Sequence, residues 1–274
     1  MSDQRQTEAG TQPDAETPGW LAAQQRHDLR IRLPSAAALS TDLNQPLHPA
    51  DSARSMLFVR IPGGRFRIGS RGYYTDEQPL CEVTVSDFYL GVFPVTQSQF
   101  AAWRKDHQNH FSGRGHGRHP AEQVSWPEAV SYCDWLTEQC VDQLPSGYFF
   151  CLPSECQWEY ACRLHFDGAG VRGILESEYY TGDGESALSA AGWYDGNSGD
   201  TTHAVGALRG TTTGLYDLHG NVDEWCRDAW SEDSYARISW GQLDPEVRSS
   251  DVGASESDAQ RVVRGGCWRN APGI

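Results

Sequence analysis

The chain has 274 residues, with 22 Lys and Arg against 37 Asp and Glu, so its formal net charge is −15. An acidic balance of this size argues against nucleic acid or an anionic membrane surface as the main partner. No stretch approaches the ~18 apolar residues of a membrane span, and residues 1–10 lack the apolar core of a secretory signal. We therefore expect a cytoplasmic protein whose partner is another protein or a small ligand.

Aromatic residues divide the chain into two parts. Of its 30 Phe, Trp and Tyr residues, only Trp20 precedes residue 56. One aromatic residue in 55 does not supply a core, which predicts a disordered or weakly ordered tail over residues 1–55 and one domain over residues 56–274. Within the tail, the alternation over residues 29–33 allows one short strand or a partner-docking segment.

The first elements of the domain read as strands. Residues 57–62 are mostly apolar, residues 65–69 alternate polar with apolar, and Gly63 and Gly64 lie between them. This pattern predicts a β-hairpin with a Gly-Gly turn. A third strand is predicted over residues 82–89.

Three helices follow, each predicted by the spacing of a capping box, in which a hydroxyl residue precedes Glu or Gln by three positions. The pairs are Thr96 with Gln99, Ser125 with Glu128, and Ser154 with Gln157. Beyond residue 165 the chain is rich in Gly, Ser and Asp, which favours loops and short strands. Residues 244–258 are predicted to form a solvated acidic loop, and residues 261–264 a strand that runs into Gly265 and Gly266.

Short sequence motifs are distributed along residues 56–274. In chain order they are IPGG at 61–64, FPVT at 93–96, VSW at 124–126, LPSE at 152–155, WEYA at 158–161, GLYD at 214–217, GNV at 220–222, EW at 224–225 and RGG at 264–266. In this order they resemble the formylglycine-generating enzyme, or sulfatase-modifying factor, family. The resemblance implies an α+β domain of the C-type-lectin-like kind, with much irregular structure and buried Trp residues.

The resemblance also implies a copper-dependent oxidase activity, but this chain has different residues at the positions of the copper site. Active members oxidise a sulfatase cysteine to formylglycine with O2 and a copper ion held by two cysteine thiolates. Here Asn270 stands at the first of those cysteine positions, and the second would be residue 275, beyond the sequence. Cys267 falls on a serine position and Asp223 on a tryptophan position of the same site. Because Cu(I) favours thiolates over amide donors, copper is not expected here.

Three functions stay open on these grounds. A non-catalytic binding module on the family scaffold is the preferred interpretation. An active oxidase would have to take its thiolates from elsewhere, such as Cys267 and Cys226. A truncated remnant is the third, because family members usually continue past the Gly-Gly turn to a strand that closes the sheet. That C-terminal strand is expected to be missing.

Calcium is the cofactor that the resemblance favours. The family's calcium loop corresponds to Asp217, the backbone carbonyls of Gly220 and Val222, and Glu224. Two carboxylates and two carbonyls at this close spacing are hard oxygen ligands that suit Ca²⁺. The alternative is that Asp217 and Glu224 only cap turns and pair with Arg227.

A histidine-rich segment carries a weaker signal. His107, His110, His116 and His119 invite a metal hypothesis, but the glycines between them favour a solvated loop. Glu155 and Glu159 have the i, i+4 spacing of an acid–base pair on a helix, and the resemblance makes them structural.

The eight cysteines form no recognisable framework. There is no Cys-x-x-Cys motif, which argues against a zinc ribbon. Cys133 and Cys140 are seven positions apart on a predicted helix, roughly 10 Å along its axis, which is too far for a disulfide. Buried free thiols are the expected state.

Overall fold

The computed structural model describes residues 29–33, 55–70, 75–113, 115–167 and 172–273. The strands in these ranges are β1 Leu29–Arg32, β2 Ser55–Ile61, β3 Gly64–Ile68, β4 Cys81–Val85, β5 Phe88–Gly91, β6 Leu164–Phe166, β7 Arg172–Ile174, β8 Glu224–Ala229 and β9 Arg261–Arg264. The helices are α1 Gln97–Trp103, α2 Trp126–Cys140, α3 Glu155–Arg163, α4 Gly184–Ala191 and α5 Ser234–Arg237. Helices and strands are joined by long irregular segments, which confirms the predicted α+β class.

The strands form four small antiparallel sheets in the described part of the chain. One sheet has the order β1-β2-β5, and the others are the pairs β3-β4, β6-β7 and β8-β9. The pair β8-β9 positions the candidate site, because Glu224 at the start of β8 lies opposite Arg264 at the end of β9. The loop before β8 and the loop after β9 therefore meet at one end of this pair.

The predicted hairpin is wrong in its pairing. Strand β2 pairs with β1 and β5, whereas β3 pairs with β4, so the two strands belong to different sheets. Gly63 does not have the positive φ of a tight hairpin turn, and a Cβ built on it would lie 2.3 Å from the carbonyl oxygen of Val85. The glycine permits a close approach of two backbones as the chain passes from one sheet to the next.

The third predicted strand is divided in two. Ser86 and Asp87 separate β4 from β5, and the Asp87 carboxylate accepts the Gly63 N–H at 2.6 Å. This contact ties the division of the strand to the crossing at Gly63. The loop at residues 86–87 therefore connects β4 to β5 and also holds the crossing between β2 and β3.

The alternating segment near the N-terminus forms a strand. Strand β1 pairs antiparallel with β2, and Ile31 is fully buried. Leu29–Arg32 is thus part of the folded structure. Of the tail predicted over residues 1–55, residues 1–28 and 34–54 lie outside the described residues.

All three capping boxes are present. Thr96 accepts the Gln99 N–H at 3.3 Å, and Ser154 accepts the Gln157 N–H at 3.2 Å. At α2, the Glu128 carboxylate accepts both the N–H and the hydroxyl of Ser125, at 2.9 and 2.7 Å. Local sequence alone therefore specifies where these helices begin.

Two clusters of buried side chains form the core. The larger lies between β2, β3, β4, α3 and β9 and includes Trp158 and Tyr160. The smaller lies beneath β1, α1 and α2 and includes Ile31, Phe100 and Tyr132. No helix among the described residues is long and apolar enough to cross a membrane.

Candidate functional site

Two loops build the candidate site at the end of the β8-β9 pair. Gly265 and Gly266 both have positive φ, of 92° and 70°, and turn the chain out of β9. The Gly220 N–H then donates to the Gly265 carbonyl at 2.8 Å, and the Trp268 N–H donates to the Asn221 carbonyl at 3.0 Å. These bonds hold residues 265–270 against residues 217–223.

The structure brings together Asp223, Cys267 and Asn270, the residues of the predicted degenerate copper site. The Asn270 side-chain oxygen accepts the Cys267 N–H at 2.6 Å, and the Asn270 N–H donates to the Cys267 carbonyl at 3.0 Å. The Asn270 carbonyl in turn accepts the N–H of Asp195 at 3.1 Å. Asn270 therefore closes the turn that carries Cys267, and its side-chain oxygen is hydrogen-bonded to the backbone.

Cys267 is buried, and its thiol has a raised pKa. Burial raises the pKa of its thiol, and the nearby Asp223 carboxylate, which accepts a hydrogen bond from the thiol, raises that pKa further. A backbone hydrogen bond with Arg269 and the Arg269 charge partly oppose this shift. Because Cu(I) sites are built from deprotonated soft ligands, this donor set does not fit copper.

The charges of the predicted calcium ligands Asp217 and Glu224 interact; Asp217 is buried and Glu224 is half-buried. Asp217 accepts the Gly206 N–H at 2.6 Å and the Asn221 side-chain N–H at 3.3 Å, and Glu224 accepts the Trp158 indole N–H at 2.7 Å. Burial raises the pKa of Asp217 to about 6, and burial together with the Asp217 charge raises that of Glu224 to about 7. No Arg or Lys is among the groups that shift either pKa, so a bound cation would relieve an unfavourable pair of charges.

The loop geometry is compatible with oxygen ligation. Asp217, Gly220 and Asn221 all have positive φ, between 58° and 71°. Among the described residues, no three His, Cys, Asp or Glu side chains form a metal-binding group. A calcium site here would therefore consist of the two carboxylates together with the backbone carbonyls of Gly220 and Val222. These residues fit calcium in donor type.

Arg264 contacts both glutamates of α3, and Glu159 also pairs with Arg163 at 2.7 Å. Its guanidinium lies 3.3 Å from a Glu159 oxygen, 3.6 Å from a Glu155 oxygen and 2.7 Å from a Glu77 oxygen. Tyr235 also donates to Glu155 at 3.1 Å. The sequence did not identify Arg264 as the centre of this network, because Glu77 is 187 positions away. The pair that resembled an acid–base couple is a structural ion cluster.

The histidine-rich segment is more ordered than a solvated loop. The His119 ring packs against the His116 ring at a tilt of 55°, with centroids 4.5 Å apart, and its Nδ1 lies 3.1 Å from the Thr202 hydroxyl. Burial, with the charges of His116 and His203, lowers the pKa of His119 to about 4. His107 makes a 2.7 Å hydrogen bond with the Glu122 carbonyl. The prediction of simple solvation is thus wrong for His107 and His119.

All eight cysteines are free thiols, as expected, and seven of them are buried or half-buried. Cys226 is fully buried in β8, and burial raises its pKa well above the ordinary value. Cys162 lies 3.7 Å from Nε2 of His219. Neither thiol contributes to the surface near Cys267.

A groove on the same β8-β9 pair was not predicted. Side chains alternate along a strand, so Trp225 points away from the core that Glu224 faces. Depressions of about 280 and 490 Å³ meet at Trp126 and Arg261. We call this surface the aromatic groove; it is lined by the rings of Trp126, Phe149, Phe150, Trp225 and Trp230. These aromatic residues are scattered over residues 126–230 and form no periodic pattern in the sequence that would predict the groove.

Comparison with known proteins agrees with this fold. The family model of the sulfatase-modifying factor enzyme 1-like domain matches residues 45–274. A formylglycine-generating enzyme of Thermomonospora curvata is 25% identical and covers 80% of this chain and 84% of its own length. The solved structure of Treponema denticola variable protein 1 has a TM-score of 0.64 and 25% identity, covering 79% of this chain and 85% of that one.

A longer relative matches over part of its length. The serine/threonine-protein kinase Pkn1 of Chlamydia trachomatis is 31% identical over 249 residues, which are 82% of this chain and 35% of that protein. The chain thus spans about a third of the length of the kinase-named relatives that it matches.

Proposed function

We propose that this chain, which belongs to the sulfatase-modifying factor enzyme 1-like family, is a non-catalytic binding module. The observation that carries the proposal is the position of Asn270. It stands where the family resemblance places a copper thiolate, and its amide oxygen accepts the Cys267 N–H at 2.6 Å. An amide is a poor ligand for Cu(I), and this one is already used to fix the turn.

The remaining thiols support the same interpretation over the oxidase alternative. Cys267 shares its surroundings with the Asp223 carboxylate, which opposes formation of a thiolate. Cys226, the other thiol available in sequence near the site, is fully buried in β8. A second soft ligand beside Cys267 would therefore need β8 to rearrange.

Copper titration tests this proposal. Purified protein is titrated with Cu(I) in competition with bicinchoninate, beside a Cys267→Ser variant as the matched control. We expect neither protein to take up stoichiometric copper. Stoichiometric uptake by the wild type that disappears in Cys267→Ser would favour the oxidase.

We propose calcium as the structural ion of this module. Asp217 and Glu224 would supply carboxylate oxygens, and Gly220 and Val222 would supply carbonyls. The ion would balance the buried Asp217 and half-buried Glu224 carboxylates, whose pKa values desolvation raises. Its effect would be to fix the loop over residues 217–224, which holds the 265–270 turn through the Gly220 and Asn221 backbones.

A further inference from the structure

Two cysteines line the aromatic groove together. Cys133, on α2, is half-buried, and Cys151, which directly follows Phe149 and Phe150, is exposed. The other six cysteines, all within the described part of the chain, are buried. The most accessible thiol of the protein therefore lies in the same depression as a second thiol.

Hydrogen bonds hold the segment that carries Cys151 along α2. The Phe150 N–H donates to the Thr137 hydroxyl oxygen at 2.9 Å, and that hydroxyl donates to the Cys133 carbonyl at 3.0 Å. One side chain thus links residue 150 to the helical turn that contains Cys133. Among nearby charges, that of Cys151 has the largest effect on the pKa of Cys133, ahead of its chain neighbour Asp134. The two thiols are therefore neighbours in the folded chain.

The Arg227 guanidinium distinguishes Cys151 from Cys133. Its Nη1 donates to the Cys151 sulfur at 3.6 Å, a contact that is stronger with a thiolate than with a thiol. Burial raises the pKa of both thiols, that of Cys133 to about 12, but at Cys151 the Arg227 charge opposes the shift, whereas Glu246 adds to it. Cys151 is exposed and lies beside a cation, so it is the better placed of the two to ionise and react.

We infer that Cys151 and Cys133 form a peroxide-sensitive thiol pair that closes to a disulfide. The Cys151 thiolate attacks one oxygen of hydrogen peroxide, the O–O bond breaks, and the sulfur becomes a sulfenic acid. The leaving hydroxide takes up the proton that the Cys151 thiol lost. The Cys133 sulfur then attacks the Cys151 sulfur, the S–S bond forms, and the S–O bond breaks. Its hydroxide leaves as water with the Cys133 proton, so two thiols lose two electrons and one peroxide becomes two waters.

Closure of the pair would change the groove. Phe149 and Phe150 precede Cys151 in the chain and line the same groove. A disulfide holds its two Cα atoms about 4.4–6.8 Å apart, so it would fasten this wall of the groove to α2. The inference is independent of the proposed function, because neither Cys267 nor Asn270 takes part in the reaction.

Thiol counting tests the pair. The full chain is reduced, freed of reductant, treated with hydrogen peroxide, unfolded and alkylated with N-ethylmaleimide before intact mass spectrometry. We expect the wild type to lose two of its eight alkylatable thiols without forming a disulfide-linked dimer on a non-reducing gel. Glutamyl endopeptidase cleaves after Glu138, between the two cysteines, so the disulfide should appear as one linked pair of peptides.

Serine variants separate the roles of the two thiols. Cys151→Ser should lose no thiol, and Cys133→Ser should stop at a Cys151 sulfenic acid that dimedone traps. Cys140→Ser is the matched control, because Cys140 lies on the same helix but is buried, and it should still form the disulfide. Thermal unfolding shows that each variant is folded. The inference is overturned by eight remaining thiols in the wild type, by thiol loss in Cys151→Ser, or by a disulfide that excludes Cys133.

A charge variant tests which thiol reacts first. Glu246→Gln removes the carboxylate that pairs with Arg227 at 3.0 Å and that raises the pKa of Cys151. The disulfide should then form faster than in the wild type at neutral pH, because the thiolate is favoured. Glu232→Gln, at an exposed site, should leave the rate unchanged. A rate that falls or stays the same in Glu246→Gln would overturn Cys151 as the attacking thiol.

Discussion

The side-chain oxygen of Asn270 accepts the backbone N–H of Cys267 at 2.6 Å, while the Asn270 N–H donates back to the Cys267 carbonyl at 3.0 Å. This reciprocal pair fixes the turn after Gly266 and orients the Cys267 thiol toward Asp223. The residue at the position where the family resemblance implies a copper ligand thus fixes the backbone of this turn.

Asn270→Ala should destabilise the protein. The Cys267 N–H, which is part-buried, would lose its acceptor, and a lost hydrogen bond of this kind costs about 1–2 kcal/mol. Urea unfolding should show a lower midpoint with an unchanged slope. Arg269→Ala, an exposed neighbour, serves as the control and should change the midpoint little. An equal decrease of the urea midpoint in both variants would show that the Asn270 side-chain hydrogen bond is not what stabilises the turn.

Arg264→Met should be strongly destabilising. The change leaves the Glu77 and Glu155 carboxylates, which are less than one-fifth exposed, without their main counter-charge. Breaking a buried ion cluster from one side costs about 3–5 kcal/mol. Arg237→Met removes an exposed pair with Asp233 and should cost much less, as measured by urea unfolding. Similar losses in the two variants would contradict a central role for Arg264.

Stability should respond to pH through Glu155. Burial raises the pKa of Glu155 to about 7 from an ordinary value of 4.5, although Arg264 partly opposes the shift. Between these values the folded state binds more protons than the unfolded state, so this group's contribution to stability falls as pH rises. The free energy of unfolding of the wild type minus that of Glu155→Gln should fall by about 1–3 kcal/mol from pH 4.5 to 7. A difference that rises with pH over this window would contradict the raised pKa.

Calcium should stabilise the fold through Asp217 and Glu224. With calcium well above its dissociation constant, we expect the melting temperature to rise by about 5 °C relative to protein treated with EGTA. Glu224→Gln should abolish this rise, whereas Glu232→Gln, at an exposed site, should retain it. An unchanged melting temperature in the wild type would show that the two carboxylates only cap turns.

The features predictable from sequence are those that are decided locally. Ser154 and Gln157 specify the start of α3 because both hydrogen bonds of the capping box lie within four residues. The Gly63-Gly64 pair shows the limit of such reasoning. Its strands were located correctly, but their partners depend on Val85 and Asp87, which approach Gly63 only in the folded chain.

The same distinction holds for the candidate site. The family motifs brought Asp223, Cys267 and Asn270 into one hypothesis, and the structure places them together. The aromatic groove was missed because Trp126 and Arg261 are 135 positions apart in the numbering. Their stacking depends on β8-β9 docking against α2, which no local pattern encodes.

Peptide turnover tests the central claim most directly. The full chain, loaded with Cu(I) under air and a thiol reductant, is incubated with a Cys-x-Pro-x-Arg peptide, and formylglycine is detected by mass spectrometry after aldehyde trapping. The proposal predicts no product above the protein-free blank, because Asn270 stands where the family resemblance implies a thiolate and burial raises the pKa of the Cys267 thiol. Product that accumulates over many turnovers and disappears in Cys267→Ser would contradict the non-catalytic proposal.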